Sequence, residues 1–107
     1  MTNTDIANTI IEQLGGAGRI NAMIGVKQFA AGDQDGNAYL GIKFKAKGYT
    51  QKKQRTNYIK ITLLPTDLYE VEIGYIHGLN YAVRNITTDG LYADMLKDYI
   101  ELNTGLR

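Results

Sequence analysis

The sequence predicts an α+β domain: an N-terminal helix, a five-stranded and mainly antiparallel sheet, and a C-terminal helix. Three observations support this fold class. Apolar residues recur with helical spacing near both ends of the 107-residue chain. Between the ends, four segments alternate apolar and polar side chains, as strands with one buried face do. The length suits one domain, residues 1–107, that buries about two-thirds of its unfolded surface.

The first element is expected to be a helix over residues 4–14. Its apolar stripe is formed by Ile6, Ile10 and Leu14. Asn3 or Thr4 is the expected N-cap, because a side-chain oxygen there accepts from the unpaired N–H groups at a helix start.

The glycine-rich run of residues 15–18 is interpreted as the end of this helix followed by a turn. A phosphate-binding loop is the alternative, since such loops are also rich in glycine. A GxGxxG loop joins a strand to a helix, however, and this run follows a helix. Asn21 also stands where the last glycine is required. The turn is therefore preferred.

Alternation predicts a first strand from Arg19 to Phe29 and a second strand over residues 39–47. Between them, Ala31 to Asn37 is expected to form a turn rich in Gly and Asp. A calcium-binding loop is excluded there, because its twelfth position holds Phe44 and not a bidentate glutamate.

The third and fourth strands are expected over residues 57–64 and 68–76, joined by a three-residue turn. With that turn, apolar residues lie opposite apolar residues and Lys60 lies opposite Glu72. A two-residue turn would place Lys60 opposite Val71, so the three-residue turn is preferred.

A fifth strand is expected over residues 81–86, followed by a turn over 87–90. The last element is expected to be a helix from Leu91 to Asn103, with Asp89 as N-cap. Its core face is predicted to contain Leu91, Met95, Tyr99, Ile100 and Leu102, widened by Tyr92 and Leu96.

Both helices are expected to pack on one face of the sheet, leaving the other face open. The packed face is predicted to consist of Leu40, Ile42, Phe44, Ile59, Ile61, Val71 and Ile73. An OB-like barrel is the alternative architecture. It is disfavoured because both predicted helices lie at the ends of the chain.

The residue inventory argues against catalysis. The chain has no cysteine, no serine and no tryptophan, and its one histidine is His77. Covalent catalysis by a Cys or Ser side chain is therefore excluded, and one histidine cannot form a His-rich metal centre. We expect no enzyme activity, no cofactor and no metal site. A small hydrolase built around His77 is the least favoured hypothesis, since a histidine in a surface turn is far commoner.

No segment approaches the roughly 18 consecutive apolar residues of a membrane span, and the first ten residues lack a signal-peptide pattern. We therefore expect a soluble, cytoplasmic protein with no membrane partner. The oligomeric state stays open.

The net charge of +1 conceals a basic middle segment, because residues 36–66 hold seven bases and no acid. Cations interleaved with aromatic rings are typical of surfaces that bind single-stranded nucleic acid. A solvated sheet face whose lysines discourage edge-to-edge aggregation is the preferred interpretation, because Lys60 is expected to pair with Glu72 and the net charge is only +1. The candidate partner-binding residues are Tyr39, Lys43, Lys45, Lys47, Tyr49, Lys52, Lys53, Arg55 and Tyr58.

Five segments resemble a family of small uncharacterised proteins encoded by bacteriophages and integrated mobile elements. They are IIEQLGG (residues 10–16), INAMIGVKQF (20–29), NYIKITL (57–63), DLYEVEIGYIHGLNY (67–81) and YADMLKDYIELNTGL (92–106). The resemblance implies a bacterial host and carries no assigned site or activity. Residues 31–55 depart most from it.

Together these observations favour a non-catalytic phage or mobile-element accessory protein that binds a host or phage protein. Inhibition of a host defence system, of the anti-CRISPR kind, is one form of that role. The alternative is a single-stranded nucleic-acid-binding module that uses the Lys/Tyr sheet face and the basic loop.

Overall fold

The computed structural model describes residues 2–49, 55–77 and 81–104. It confirms the predicted α+β fold class. In chain order the elements are α1 (Asn3–Gln13), α2 (Ala17–Ile24), β1 (Val26–Gln34), β2 (Asn37–Tyr49), β3 (Arg55–Leu63), β4 (Tyr69–His77), β5 (Tyr81–Leu91), a 3₁₀ turn (Ala93–Met95) and α3 (Leu96–Thr104). Within the described ranges, no helix is long and apolar enough to cross a bilayer.

The five strands form an antiparallel meander in the order β1-β2-β3-β4-β5, so every strand pairs with its neighbours along the chain. The predicted register of β3 and β4 is confirmed, with Lys60 opposite Glu72. The Leu64 N–H donates to the Leu68 carbonyl at 2.8 Å and closes the three-residue turn. Asp67 takes the left-handed conformation, φ 63°, that such a turn needs at its last residue.

The core lies between the helices and one face of the sheet, which we call the inner face. Ile59 and Ile61 at its centre are fully buried. Burial of one such side chain contributes about 1.5–3 kcal/mol. The inner-face cluster contains Leu40, Ile42, Phe44, Ile59, Ile61, Val71 and Ile73, as predicted, and is packed by Ala7, Ile10, Leu14, Ile20, Leu96 and Ile100 from the helices.

Helix α1 begins one residue earlier than predicted, and its N-cap is Thr2 instead of Asn3 or Thr4. The Asp5 N–H donates to Thr2 Oγ1 and the Thr2 N–H donates to Asp5 Oδ2, both at 3.1 Å, which is a capping box. These hydrogen bonds from Thr2 hold the pKa of the Asp5 carboxyl below its usual value. The stabilisation they supply is therefore present above the usual pKa and is lost as the pH falls through the lowered one.

We expect Thr2→Ala to lower the free energy of unfolding by about 1 kcal/mol, because the substitution removes the side-chain oxygen that caps α1. Asn3→Ala and Thr4→Ala, at the two positions that the sequence suggested, should each cost less than about 0.5 kcal/mol. Urea unfolding followed by circular dichroism measures all three variants. A cost at Thr4 equal to that at Thr2 would contradict the observed cap.

The prediction of a strand from Arg19 is wrong for residues 19–24, which form α2. Gly15 and Gly16 donate to Glu12 and Ile11 carbonyls at 3.0 and 2.9 Å and end α1 in a Schellman motif. The next helix starts at once, and Gly25 ends it in the left-handed conformation, φ 64°. Apolar residues four apart suit a helix as well as a strand, so alternation over so short a segment did not distinguish them.

The predicted turn from Ala31 to Asn37 is also too long. The ladder between β1 and β2 continues to the pair Gln34 and Asn37, leaving a two-residue turn, Asp35 and Gly36, with φ values of 55° and 81°. Asp-Gly is a preferred sequence for such a hairpin turn, because both central residues need positive φ.

The last strand and helix differ from the prediction as well. β5 continues through residues 87–90, which were expected to turn, because β4 is long enough to pair with it as far as Leu91. The chain therefore enters the 3₁₀ turn at Tyr92, which takes the N-cap position expected for Asp89. This entry point rotates the helix so that Leu96 and Ile100 face the core.

That rotation makes part of the predicted core face wrong. Met95 and Leu102 are 45% and 58% exposed, whereas Asn103 and Thr104 are buried. The Asn103 amide donates to the Tyr99 carbonyl at 2.8 Å, and the Thr104 hydroxyl donates to the Ile100 carbonyl at 2.7 Å. Polar side chains can be buried here because they bond to the carbonyl one turn earlier.

Candidate functional site

The sheet face opposite the helices, here called the outer face, carries rows of side chains that run across the strands. Residues in one row are neighbours in the strand register. The first row contains Gln28, Lys43, Tyr58 and Gly74; the second contains Ala30, Gly41, Lys60, Glu72 and Thr87; the third contains Gly32, Tyr39, Thr62 and Glu70.

A pocket of about 260 Å³ lies in the middle row where β1 and β2 carry only Ala30 and Gly41. A Cβ placed on Gly41 would lie 3.8 Å from the Ala30 Cβ and 3.9 Å from Tyr39 Cε1, which are ordinary contacts. Sterics therefore do not require glycine there, and its absent side chain leaves the space. The residues around this Gly41 pocket include Gln28, Ala30, Tyr39, Gly41, Lys43, Tyr58, Lys60 and Ile76.

One wall of the pocket is the Tyr39 ring, which is held by contacts on β1 and β3. A Cβ added to Gly32 would lie 2.7 Å from the Tyr39 hydroxyl, so the ring occupies the space above that glycine. The Lys60 Nζ lies over the ring, 4.6 Å from its centroid, in a cation–π contact. The same Nζ donates to Gln34 Oε1. The Lys60 side chain therefore extends from β3 across β2 to β1.

Tyr58 is only 9% exposed, and its hydroxyl donates to Glu72 Oε2 at 2.8 Å. The sequence predicted that Glu72 would pair with Lys60. The register is as expected, but the Lys60 ammonium contacts Gln34 and Tyr39. Tyr58 reaches the carboxylate diagonally across the strands, and a hydrogen bond to a charged acceptor is stronger than one between neutral groups.

The charge of the outer face changes sign along the strands. Lys43, at the middle of β2, and Lys45, two residues further along it, are exposed. Towards one end of the sheet, a second hollow of about 180 Å³ is lined by Asp35, Glu70 and Glu72, together with Lys60 and polar residues. Across the described ranges, no group of three or more His, Cys, Asp or Glu residues could hold a metal ion.

No protein-family model matches the chain, and no curated protein or solved structure matches it. The resemblance to phage and mobile-element proteins therefore stays a prediction.

The structure places three of the nine predicted site residues, Tyr39, Lys43 and Tyr58, around the Gly41 pocket. Lys45 is exposed further along β2. The side chains of Lys47, Tyr49 and Arg55, and the whole of Lys52 and Lys53, lie outside the described residues. His77 is the last residue of β4, and its side chain lies outside them too.

On the outer face, the pocket is also lined by residues that were not predicted as site residues: Gln28, Ala30, Gly41, Lys60 and Ile76. The first strand was predicted to end at Phe29, so Ala30 had no place in the sheet. The sequence feature that could have predicted the pocket is the pair of small residues, Ala30 and Gly41, which lie opposite each other on adjacent strands at outer-face positions. Small residues opposite each other in a sheet leave a gap when their neighbours are long.

Proposed function

We propose that the protein is a non-catalytic accessory protein of a phage or mobile element, and that it binds another protein through the outer face of its sheet. The Gly41 pocket supports this proposal, because it lies on the sheet face that the helices do not cover. Protein interfaces commonly take a side chain of one partner into a pocket of the other.

The limited accessibility of the Tyr39 and Tyr58 rings favours a protein partner over single-stranded nucleic acid. Stacking of bases requires aromatic rings with an accessible face. Tyr58 is nearly buried, and Lys60 lies over the Tyr39 ring. Glu70 and Glu72 on the same face would also repel a phosphate backbone.

Binding of this kind suits a protein that acts by covering a partner's surface. Such an inhibitor needs no nucleophile and no cofactor, in keeping with a chain that has neither cysteine nor serine. Inhibition of a host defence protein is the form of this role that we favour.

Gly41→Val is expected to weaken partner binding at least about tenfold, or about 1.4 kcal/mol, because the added side chain fills the pocket. The fold should be retained, since a Cβ at Gly41 meets only ordinary contacts. The measurement is recovery of a defined protein from bacterial host lysate at about 0.15 M salt, followed by titration of that purified partner. Ala31→Val is the matched control, because Ala31 is exposed on the other side of the neighbouring strand.

Equal partner affinity of Gly41→Val and the unchanged protein would contradict a role for the pocket. Binding of an oligonucleotide, with affinity that falls steeply as salt rises and no protein recovered, would support the nucleic-acid alternative. That alternative further predicts a loss of oligonucleotide binding in a variant with alanine at Lys43, Lys45, Lys52 and Lys53.

A further inference from the structure

The C-terminal segment carries three large apolar side chains that are exposed to solvent. Tyr92, Met95 and Leu102 are 62%, 45% and 58% exposed, and they are the exposed large apolar residues within the described ranges. Tyr99 lies between them and is half-buried. Together these four residues, here called the α3 stripe, follow the spacing i, i+3, i+7, i+10. Scattered single apolar residues are normal on a surface, whereas several grouped on one short segment indicate an interaction site.

Tyr99 also packs against the core, whereas Met95 and Leu102 lie on a different side of the helix from the buried residues. At 100° per residue, Met95, Tyr99 and Leu102 fall within about 60° of one another. Leu96 and Ile100, both buried, lie about 100–140° around the helix from Met95. The Tyr99 hydroxyl donates to Thr88 Oγ1 at 2.5 Å, and this hydrogen bond links α3 to β5.

A column of acids runs beside the α3 stripe on its solvent side. Asp94, Asp98 and Glu101 follow one another at i, i+4 and i+7, and the two aspartates are exposed. Lys97 lies 3.8 Å from Glu101 and offsets part of this charge. The segment therefore presents an apolar row bordered by net negative charge.

We propose that the α3 stripe docks a cationic amphipathic helix of a partner protein. The apolar face of that helix would cover Tyr92, Met95 and Leu102, and its Lys or Arg side chains would lie against the acid column. Apolar anchors at helical spacing with complementary charges beside them are the features by which helices recognise one another. Since the helices pack on the inner face, this surface lies on the other side of the sheet from the Gly41 pocket and does not depend on it.

Charge decides between this occupant and a second copy of the chain. A two-fold dimer brings together two copies of the same patch, and each copy carries net negative charge. Like charges brought together disfavour that contact. A basic partner instead gains from the same acids.

Binding of two designed helical peptides to the full chain tests the proposal. One peptide has Leu at i, i+3, i+4 and i+7 with Lys elsewhere, and the other has Glu in place of each Lys. We expect fluorescence anisotropy to show binding of the cationic peptide alone. Met95→Ser/Leu102→Ser and Asp94→Lys/Asp98→Lys should each weaken that binding at least about tenfold. Glu12→Lys/Asp33→Lys, which makes the same change in net charge at two other exposed acids, should keep it within about twofold.

The proposal would be overturned if Glu12→Lys/Asp33→Lys weakened peptide binding as much as Asp94→Lys/Asp98→Lys does. The peptide would then be attracted by the net charge of the protein and not by the acids beside the α3 stripe. Unchanged affinity in Met95→Ser/Leu102→Ser would overturn the proposal as well. The proposal would also be overturned if the unchanged protein sedimented as a dimer and the Met95→Ser/Leu102→Ser variant sedimented as a monomer. Gly41→Val should bind the cationic peptide normally, so failure of the outer-face proposal and failure of this one are distinguishable. Tyr92→Ser provides a second apolar variant if the double variant does not fold.

Discussion

Leu96→Ala is expected to lower the free energy of unfolding by about 2–5 kcal/mol, whereas Leu102→Ala should change it by less than about 0.5 kcal/mol. Leu96 is fully buried among the inner-face residues, and truncation there leaves a cavity in addition to the lost apolar contacts. Leu102 is 58% exposed six residues further along the same helix. The same substitution should therefore have very different effects at the two positions.

Urea unfolding of the two variants measures this difference directly, with the m-value as a check that both unfold in the same way. The comparison is its own control, because the residue type, the helix and the change are identical. A cost at Leu102 equal to that at Leu96 would show that the helix is rotated toward the core face expected from the sequence. It would also remove the apolar surface on which the peptide-docking proposal rests.

Ile59→Ala is expected to cost about 2–5 kcal/mol, because Ile59 lies at the centre of the sheet and is fully buried. In the register it lies between Ile42 on β2 and Ile73 on β4, so neither neighbour can move far to fill the space. Ile59→Val removes a single methylene and should cost only about 0.5–1.5 kcal/mol.

Thermal or urea unfolding of this series is compared with Lys43→Ala, an exposed position on the neighbouring strand. We expect that control to change the free energy of unfolding by less than about 0.5 kcal/mol. A cost below about 1 kcal/mol for Ile59→Ala would contradict the assignment of alternate β3 residues to the core.

The register between β3 and β4 was predictable because it depends on local properties. Alternation assigns each residue to one face of the sheet. Changing the turn length by one residue would place apolar residues opposite polar ones, so the three-residue turn is the one that pairs residues of the same face. Segment 19–24 lacked such a constraint. Ile20 and Ile24 lie on one side of a helix as well as of a strand, and the choice depended on the backbone geometry of Gly16 and Gly25.

The candidate site was predictable only in part. Tyr39, Lys43 and Tyr58 were identified from their charge and aromatic character, and they line the pocket. The contacts of Lys60 were not predictable, because its side chain crosses β2 to reach Gln34, which was expected to lie in a turn. The pocket itself arises from two small residues, and neither chemistry nor periodicity marks such residues as functional.

The fold class, the inner face of the sheet and the pairing of β3 with β4 could all be predicted from the order of the residues. These follow from periodicity and turn length, which act between residues close in the chain. The rotation of α3 and the contacts of Lys60, by contrast, are apparent only in the folded protein. The rotation depends on where β5 ends, and that end is set by its pairing with β4. The reach of Lys60 depends on the position of β1, so both features arise from contacts between segments whose relative placement no local pattern specifies.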